Sequence, residues 1–187
     1  NDAYGKIIEK KCLTLHTVAE RKNVQLAQTA RHVSYIGNLK CGRYKTLIDI
    51  GKALSELRDE NVPNVIDVYS GTREFDCIEP LKKAPGINFC GEISPESVLE
   101  VMANSMAVIH TESFEQEMME LVRFSVSTKI AESLMYGPCL IAYGPEGIAS
   151  IDYLKENNAA YVISRPEDLE KGLEEILTNK ELREQIV

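Results

Sequence analysis

Short apolar runs rich in β-branched residues alternate along the chain with longer amphipathic stretches. The runs occupy residues 32–37, 65–70, 86–91, 106–111, 139–144 and 159–164. Each is bounded by Gly, Asn, Ser or similar turn residues and reads as a buried strand. Between them the clearest helix carries Leu47, Ile50, Leu54 and Leu57 at three- and four-residue steps. Ser94-Pro95-Glu96-Ser97 opens another helix, with Val98, Val101 and Met102 inside it. Residues 131–136 and 148–154 continue the pattern, and the acidic end from Pro166 to Val187 reads as helix with Leu169, Leu173, Ile176 and Leu177 on its face. Before the first strand, Ile7, Ile8 and Cys12 share a side of a weakly periodic lead-in. Strand–helix alternation repeated about six times predicts an α/β fold, a Rossmann-like doubly wound parallel sheet with helices on both faces. Residues 112–127 break the rhythm and read as a long irregular loop after a strand, a common place for function.

Composition narrows the classes. The chain has 187 residues, 44% hydrophobic and 27% charged, which suits one globular domain with a real core. Twenty-one Lys and Arg against 29 Asp and Glu leave a net charge of −8, so nucleic acid is not an expected partner and any phosphate must sit in a local basic pocket. No apolar run approaches the roughly 18–20 residues of a membrane span, no signal peptide is visible, and the first residue is Asn rather than Met. The five cysteines, at 12, 41, 77, 90 and 139, are odd in number and form no C-x-x-C pair. They read as reduced thiols of a cytoplasmic protein rather than zinc ligands or disulfides, with Cys90 and Cys139 acting as small strand hydrophobes. His16 and His32 show no metal-ligand spacing with His110, and no metal is expected.

Ligands of open α/β sheets bind outside the carboxyl ends of the strands. Those ends carry Gly37-Asn38, Ser70-Gly71, Gly91-Glu92, His110-Thr111-Glu112, the stretch 144–147, and Ser164-Arg165. Two places stand out. Residues 37–45 form a Gly-bounded loop with Lys40, Arg43 and Lys45, where Gly permits close approach to phosphate and the cations supply countercharge. Residues 125–138 start with Ser125, Ser127 and Thr128, any of which can cap a helix whose N–H groups would face an anion. Within that helix Lys129 and Glu132 share one face, while Ile130 and Leu134 point to the core.

At these residues the chain resembles the C-terminal, donor-binding half of GT-B glycosyltransferases, most closely the retaining group 1 type of bacterial polysaccharide synthesis. The resemblance rests on the ordered blocks Tyr-Ile-Gly-Asn-Leu from Tyr35, Ile-Asn-Phe-Cys-Gly-Glu-Ile from Ile87, Ala-Val-Ile-His-Thr-Glu-Ser-Phe from Ala107, and Ser-Thr-Lys-Ile-Ala-Glu-Ser-Leu-Met-Tyr-Gly-Pro from Ser127. It implies transfer of a sugar from a nucleotide diphosphate sugar to an acceptor hydroxyl, with no cofactor beyond that substrate. By position it implies Gly37, Asn38, Arg43 and Lys129 at the donor diphosphate, with Lys45 in reserve for Arg43. It places Glu132 at the ribose and Glu92 and Ile93 at the base. His110, Thr111 and Glu112 form a possible sugar or acceptor rim, and no catalytic residue is assigned. Three departures stand out: Phe124 occupies the place of a common Glu, Asn38 that of a common Arg after the loop Gly, and the segment from Glu115 to Val122 has no counterpart. Residues 1–31 are too few for a second such domain and read as a linking helix and connection from an absent N-terminal, acceptor-binding domain. Any membrane association would come through that domain. The alternatives are a GT-B nucleotide-sugar epimerase and a non-catalytic nucleotide-binding or interaction module.

Overall fold

A computed structural model of the chain describes residues 32–136 and 139–186. Six strands, β1 (His32–Ile36), β2 (Ile66–Tyr69), β3 (Ile87–Gly91), β4 (Ser105–Thr111), β5 (Cys139–Tyr143) and β6 (Tyr161–Ile163), form one sheet in the order β3-β2-β1-β4-β5-β6. Every neighbouring pair is parallel. This is the doubly wound order, with its switch point between β1 and β4, where the connections diverge and leave a crevice. The fold class predicted from alternation is the one found.

The helices are α1 (Arg43–Glu56), α2 (Phe75–Lys83), α3 (Pro95–Ala103), α4 (Gln116–Val122), α5 (Thr128–Tyr136), α6 (Ala149–Glu156), α7 (Leu169–Thr178) and α8 (Lys180–Gln185), with a short 3-10 turn at Pro166–Asp168. Strand alternation sends Val33, Val68, Ile109, Ile141 and Ile163 to one face, where Leu47, Ile50 and Leu54 of α1, Leu81 of α2, and Leu173 and Ile176 of α7 cover them. Val108, Leu140 and Ala142 point to the other face, against Met102, Ile130, Ile151 and Leu154 from α3, α5 and α6. Both faces of the sheet are thereby dry, as a parallel sheet requires.

Several local expectations need correction. Helix α2 was not foreseen: Pro80 lies inside it and masks a short apolar stripe of Cys77, Ile78 and Leu81, of which Leu81 is fully buried. Residues 112–127 are not one loop, since α4 lies within them, held by Val122 in the second core. The acidic end is broken at Asn179, whose side chain accepts from the Leu182 amide and caps α8. Cys90 is exposed rather than packed, because β3 is an edge strand, whereas Cys139 is buried on β5, which has a neighbour on either side. Leu134 stands 37% exposed while Ile130 of the same helix is buried. The reading of residues 1–31 lies outside the described residues.

Candidate functional site

The loop after β1 is pinned from several sides. Tyr35, buried on β1, donates its hydroxyl to the Asn38 carbonyl at 2.5 Å, and a Cβ on Gly37 would fall 2.8 Å from that hydroxyl. Glycine is therefore required where the chain passes over the tyrosine. The buried Leu39 amide donates to Thr72 Oγ1, which also takes the Ser70 hydroxyl, so the loops after β1 and β2 are stapled together. Gly42, at φ 75°, starts α1, and a Cβ there would meet Ser113 Oγ at 2.5 Å. The start of α1 thus lies directly against the chain leaving β4.

Two clefts open on this rim. The larger, about 820 Å³, includes Gly37, Asn38, Glu92, Ile93, Lys129 and Glu132 in its lining. Its cations each face a carboxylate that also lines it: Lys40 Nζ lies 2.7 Å from Glu74, Lys129 Nζ 2.9 Å from Glu132, and Arg73 4.0 Å from Glu92. All three pairs are open to solvent. The smaller cleft, about 230 Å³, is walled by Gly37, Asn38, Arg43, His110, Glu112 and Lys129 together with the hydroxyl residues around the start of α5. The two clefts share Ile36, Gly37, Asn38 and Lys129. Since Ser127, Thr128 and Lys129 line the smaller one, α5 presents its N-terminal end there, the favourable end for an anion.

Chemistry in the smaller cleft is dominated by a buried ion pair. Arg43 Nε and Nη2 donate to the two Glu112 oxygens at 3.1 and 3.0 Å, and Arg43 Nη1 donates to Asn38 Oδ1 at 3.1 Å. The Glu112 side chain is 2% exposed and that of Arg43 16%. Burial works against the guanidinium charge, but Glu112 more than offsets it, so the Arg43 pKa moves upward. Burial also lifts the Glu112 carboxyl, with Arg43 pulling the other way. The two-pronged contact needs a carboxylate that only accepts, so the pair is ionised.

His110 stands beside it. Alternation along β4 sends His110 to the α3–α6 face and Thr111 to the other, where Thr111 Oγ1 donates to the Tyr143 carbonyl at 2.9 Å. His110 is 93% buried, its Nε2 makes no hydrogen bond, and the nearest Glu112 oxygen is 3.5 Å away. Burial first, and the Arg43 charge second, push its pKa down to about 3, so the imidazole is neutral.

The structure brings Gly37, Asn38, Lys129, Glu132, Glu92 and Ile93 to one cleft and Arg43, His110, Thr111 and Glu112 to the adjoining one. Lys45 lines neither; it pairs with Glu115 at 2.5 Å on the surface. Sequence reasoning missed the partnership of Arg43 with Glu112, residues 69 positions apart whose only shared signal is the rim itself. It also missed the anchoring role of Tyr35. A separate hollow of about 470 Å³ beyond β6, lined by Tyr161, Arg165, Asp168 and Lys171 among others, holds none of these residues. Among the described residues no three His, Cys, Asp or Glu side chains converge as metal ligands, and no helix is long and apolar enough to cross a membrane.

A doubly wound sheet places its ligand crevice outside the carboxyl ends of the strands, at the switch point, where this rim lies. No family model matches the chain, and no curated protein matches it. Solved structures do. WaaG, a glycosyltransferase involved in lipopolysaccharide biosynthesis, is similar with a TM-score of 0.61 at 18% identity, over 86% of this chain and 41% of WaaG. A TarM variant from S. aureus, solved with fondaparinux, alpha-GlcNAc-glycerol and UDP, is similar with a TM-score of 0.64 at 15% identity, over 96% of this chain and 36% of TarM. CalG4, the calicheamicin glycosyltransferase, gives 0.50 at 13% identity, over 87% of this chain and 38% of its own. The architecture expected from the resemblance, one Rossmann-like half of the GT-B fold, is the one found. The chain spans 36–41% of the length of these solved proteins.

Proposed function

We propose that this domain binds the nucleotide diphosphate sugar of a hexosyl-type glycosyltransferase acting in bacterial surface polysaccharide synthesis. The observation that carries the reading is the meeting of two clefts at Gly37, Asn38 and Lys129, on the carboxyl rim beside the topological switch point. In this reading the diphosphate lies at the junction, and the base extends along the larger cleft toward Glu92 and Ile93. The ribose hydroxyls meet Glu132, and the sugar enters the smaller cleft. Lys129 and the N-terminal end of α5 stabilise the diphosphate as it becomes the leaving group, an electrostatic role that a helix end and a lysine can fill without a metal. Arg43, neutralised by Glu112, serves the site by holding Asn38 in place rather than as an unpaired countercharge. A second domain supplies the acceptor, since orienting two substrates is worth on the order of 7–11 kcal/mol of barrier and one rim cannot hold both. In this reading the domain works in the cytoplasm, where nucleotide sugars are available.

The test is calorimetric and thermal-shift titration with nucleoside diphosphates, in buffer containing a chelator. At ten times its dissociation constant a ligand is expected to stabilise the fold by about 1.4 kcal/mol. A flat response to every nucleoside diphosphate at millimolar concentration overturns the reading. Binding that requires a divalent ion overturns its metal-independent part.

A further inference from the structure

We propose that the smaller cleft selects an uncharged, hydroxyl-bearing sugar over a carboxylated one such as a hexuronic acid, with the Arg43–Glu112 pair as the determinant. The inference deepens the donor-site reading above and rests on it. A sugar carboxylate is best recognised by the planar fork of a guanidinium. Arg43 is the guanidinium on this wall, and its Nε–Nη2 edge is taken: Nε and Nη2 hold the two oxygens of Glu112, and Nη1 holds Asn38. An incoming carboxylate would therefore find a guanidinium already neutralised, with the buried Glu112 charge close behind it, in a setting where low solvent exposure strengthens like-charge repulsion.

The other lining groups favour the same class. His110 is neutral and its buried Nε2 has no hydrogen-bond partner, so the imidazole supplies polarity without countercharge. Ser127, Thr128 and Ser133 bring hydroxyls, which both donate and accept and so match a sugar hydroxyl. Lys129 also lines this cleft, but it sits at the junction, where the diphosphate needs it. Pair, imidazole and hydroxyls together give a wall that is polar and close to electroneutral.

The test first identifies the nucleoside diphosphate that binds best, then compares its glucose and glucuronate conjugates by calorimetry on the intact chain. The glucose conjugate is expected to bind at least tenfold more tightly. Glu112→Gln removes the negative charge and frees part of the Arg43 fork, so the ratio should fall by tenfold or more. Equal or tighter binding of the glucuronate conjugate to the unaltered protein overturns the inference, and that measurement needs no variant. An unchanged ratio in a folded Glu112→Gln protein overturns the role given to the pair. Binding of the bare diphosphate together with either result leaves the donor-site reading standing; failure of every nucleoside diphosphate to bind removes both.

Discussion

Cations face carboxylates in both clefts, yet the two sets of pairs have different physical characters. Arg43–Glu112 is bidentate and withdrawn from water, whereas Lys129–Glu132 spans three residues of one helix, with its side chains 51% and 42% exposed. An exposed pair gains little from its Coulomb attraction and dissociates cheaply, while removing one partner of a buried pair strands a charge in low dielectric. The exposed pair can therefore exchange partners, lysine to phosphate and glutamate to ribose, within the donor-site reading. The buried pair cannot exchange without unravelling the loop that holds Asn38. One cleft is built to be rearranged by its ligand, and the other to stay as it is.

The largest expected effect sets the two pairs against each other. Arg43→Ala should destabilise the domain by about 3–5 kcal/mol, because Glu112 remains buried without its partner. Urea denaturation measures it, and a loss no greater than that of Lys129→Ala would erase the distinction between the pairs. On the binding side the order reverses. Lys129→Ala should weaken a nucleoside diphosphate by roughly 1.5–3 kcal/mol, the worth of a charged hydrogen bond, while leaving the bare nucleoside nearly unaffected. Equal weakening of both ligands in calorimetry would move Lys129 away from the phosphates.

A third expectation belongs to the buried side alone. His110 titrates near 6.5 when unfolded but at about 3 in the fold. The unfolded chain therefore takes up this proton first as the pH falls. Stability from the neutral histidine is complete above pH 6.5 and is lost progressively below it, by roughly 2 kcal/mol between pH 7 and pH 5. Glu112 and the other carboxylates titrate in both proteins when His110→Gln is compared with the unaltered chain, so the difference in their pH–stability slopes isolates the histidine. Parallel slopes would show that His110 is not held neutral. The smallest effect is that of Lys129→Ala on stability, under about 1 kcal/mol and shrinking as salt is added; a salt-independent loss above that size would mean the exposed pair is part of the framework.

What could be read from the chain follows the range of the interactions involved. The strands were legible because apolar, β-branched runs punctuated by turn residues are a local signal. Their parallel arrangement followed from the spacing between them. The rim followed in turn: Gly37, Asn38, Glu92 and Ile93 stand at strand ends, and Lys129 and Glu132 are three apart on one helix, so their shared face needed only helical geometry. Helix α2 was illegible because a proline inside it contradicts the local rule, and packing of Leu81 into the first core overrides that rule. Cys90 looked like a core residue because a strand's sequence does not say whether it lies at the centre or the edge of its sheet.

The amino-acid sequence by itself determined the alternation, the sheet and the list of polar groups at its carboxyl rim, since each depends on residues within a turn or a strand of one another. The tertiary structure alone decided how those groups are partnered. Arg43 meets Glu112 because β1 and β4 are neighbours in the sheet, so that the start of α1 abuts the chain leaving β4. His110 is neutral because β4 is central and its α3–α6 face is dry. Charge state and ion pairing depend on distance and dielectric across the fold, and neither is written in the order of residues along the chain.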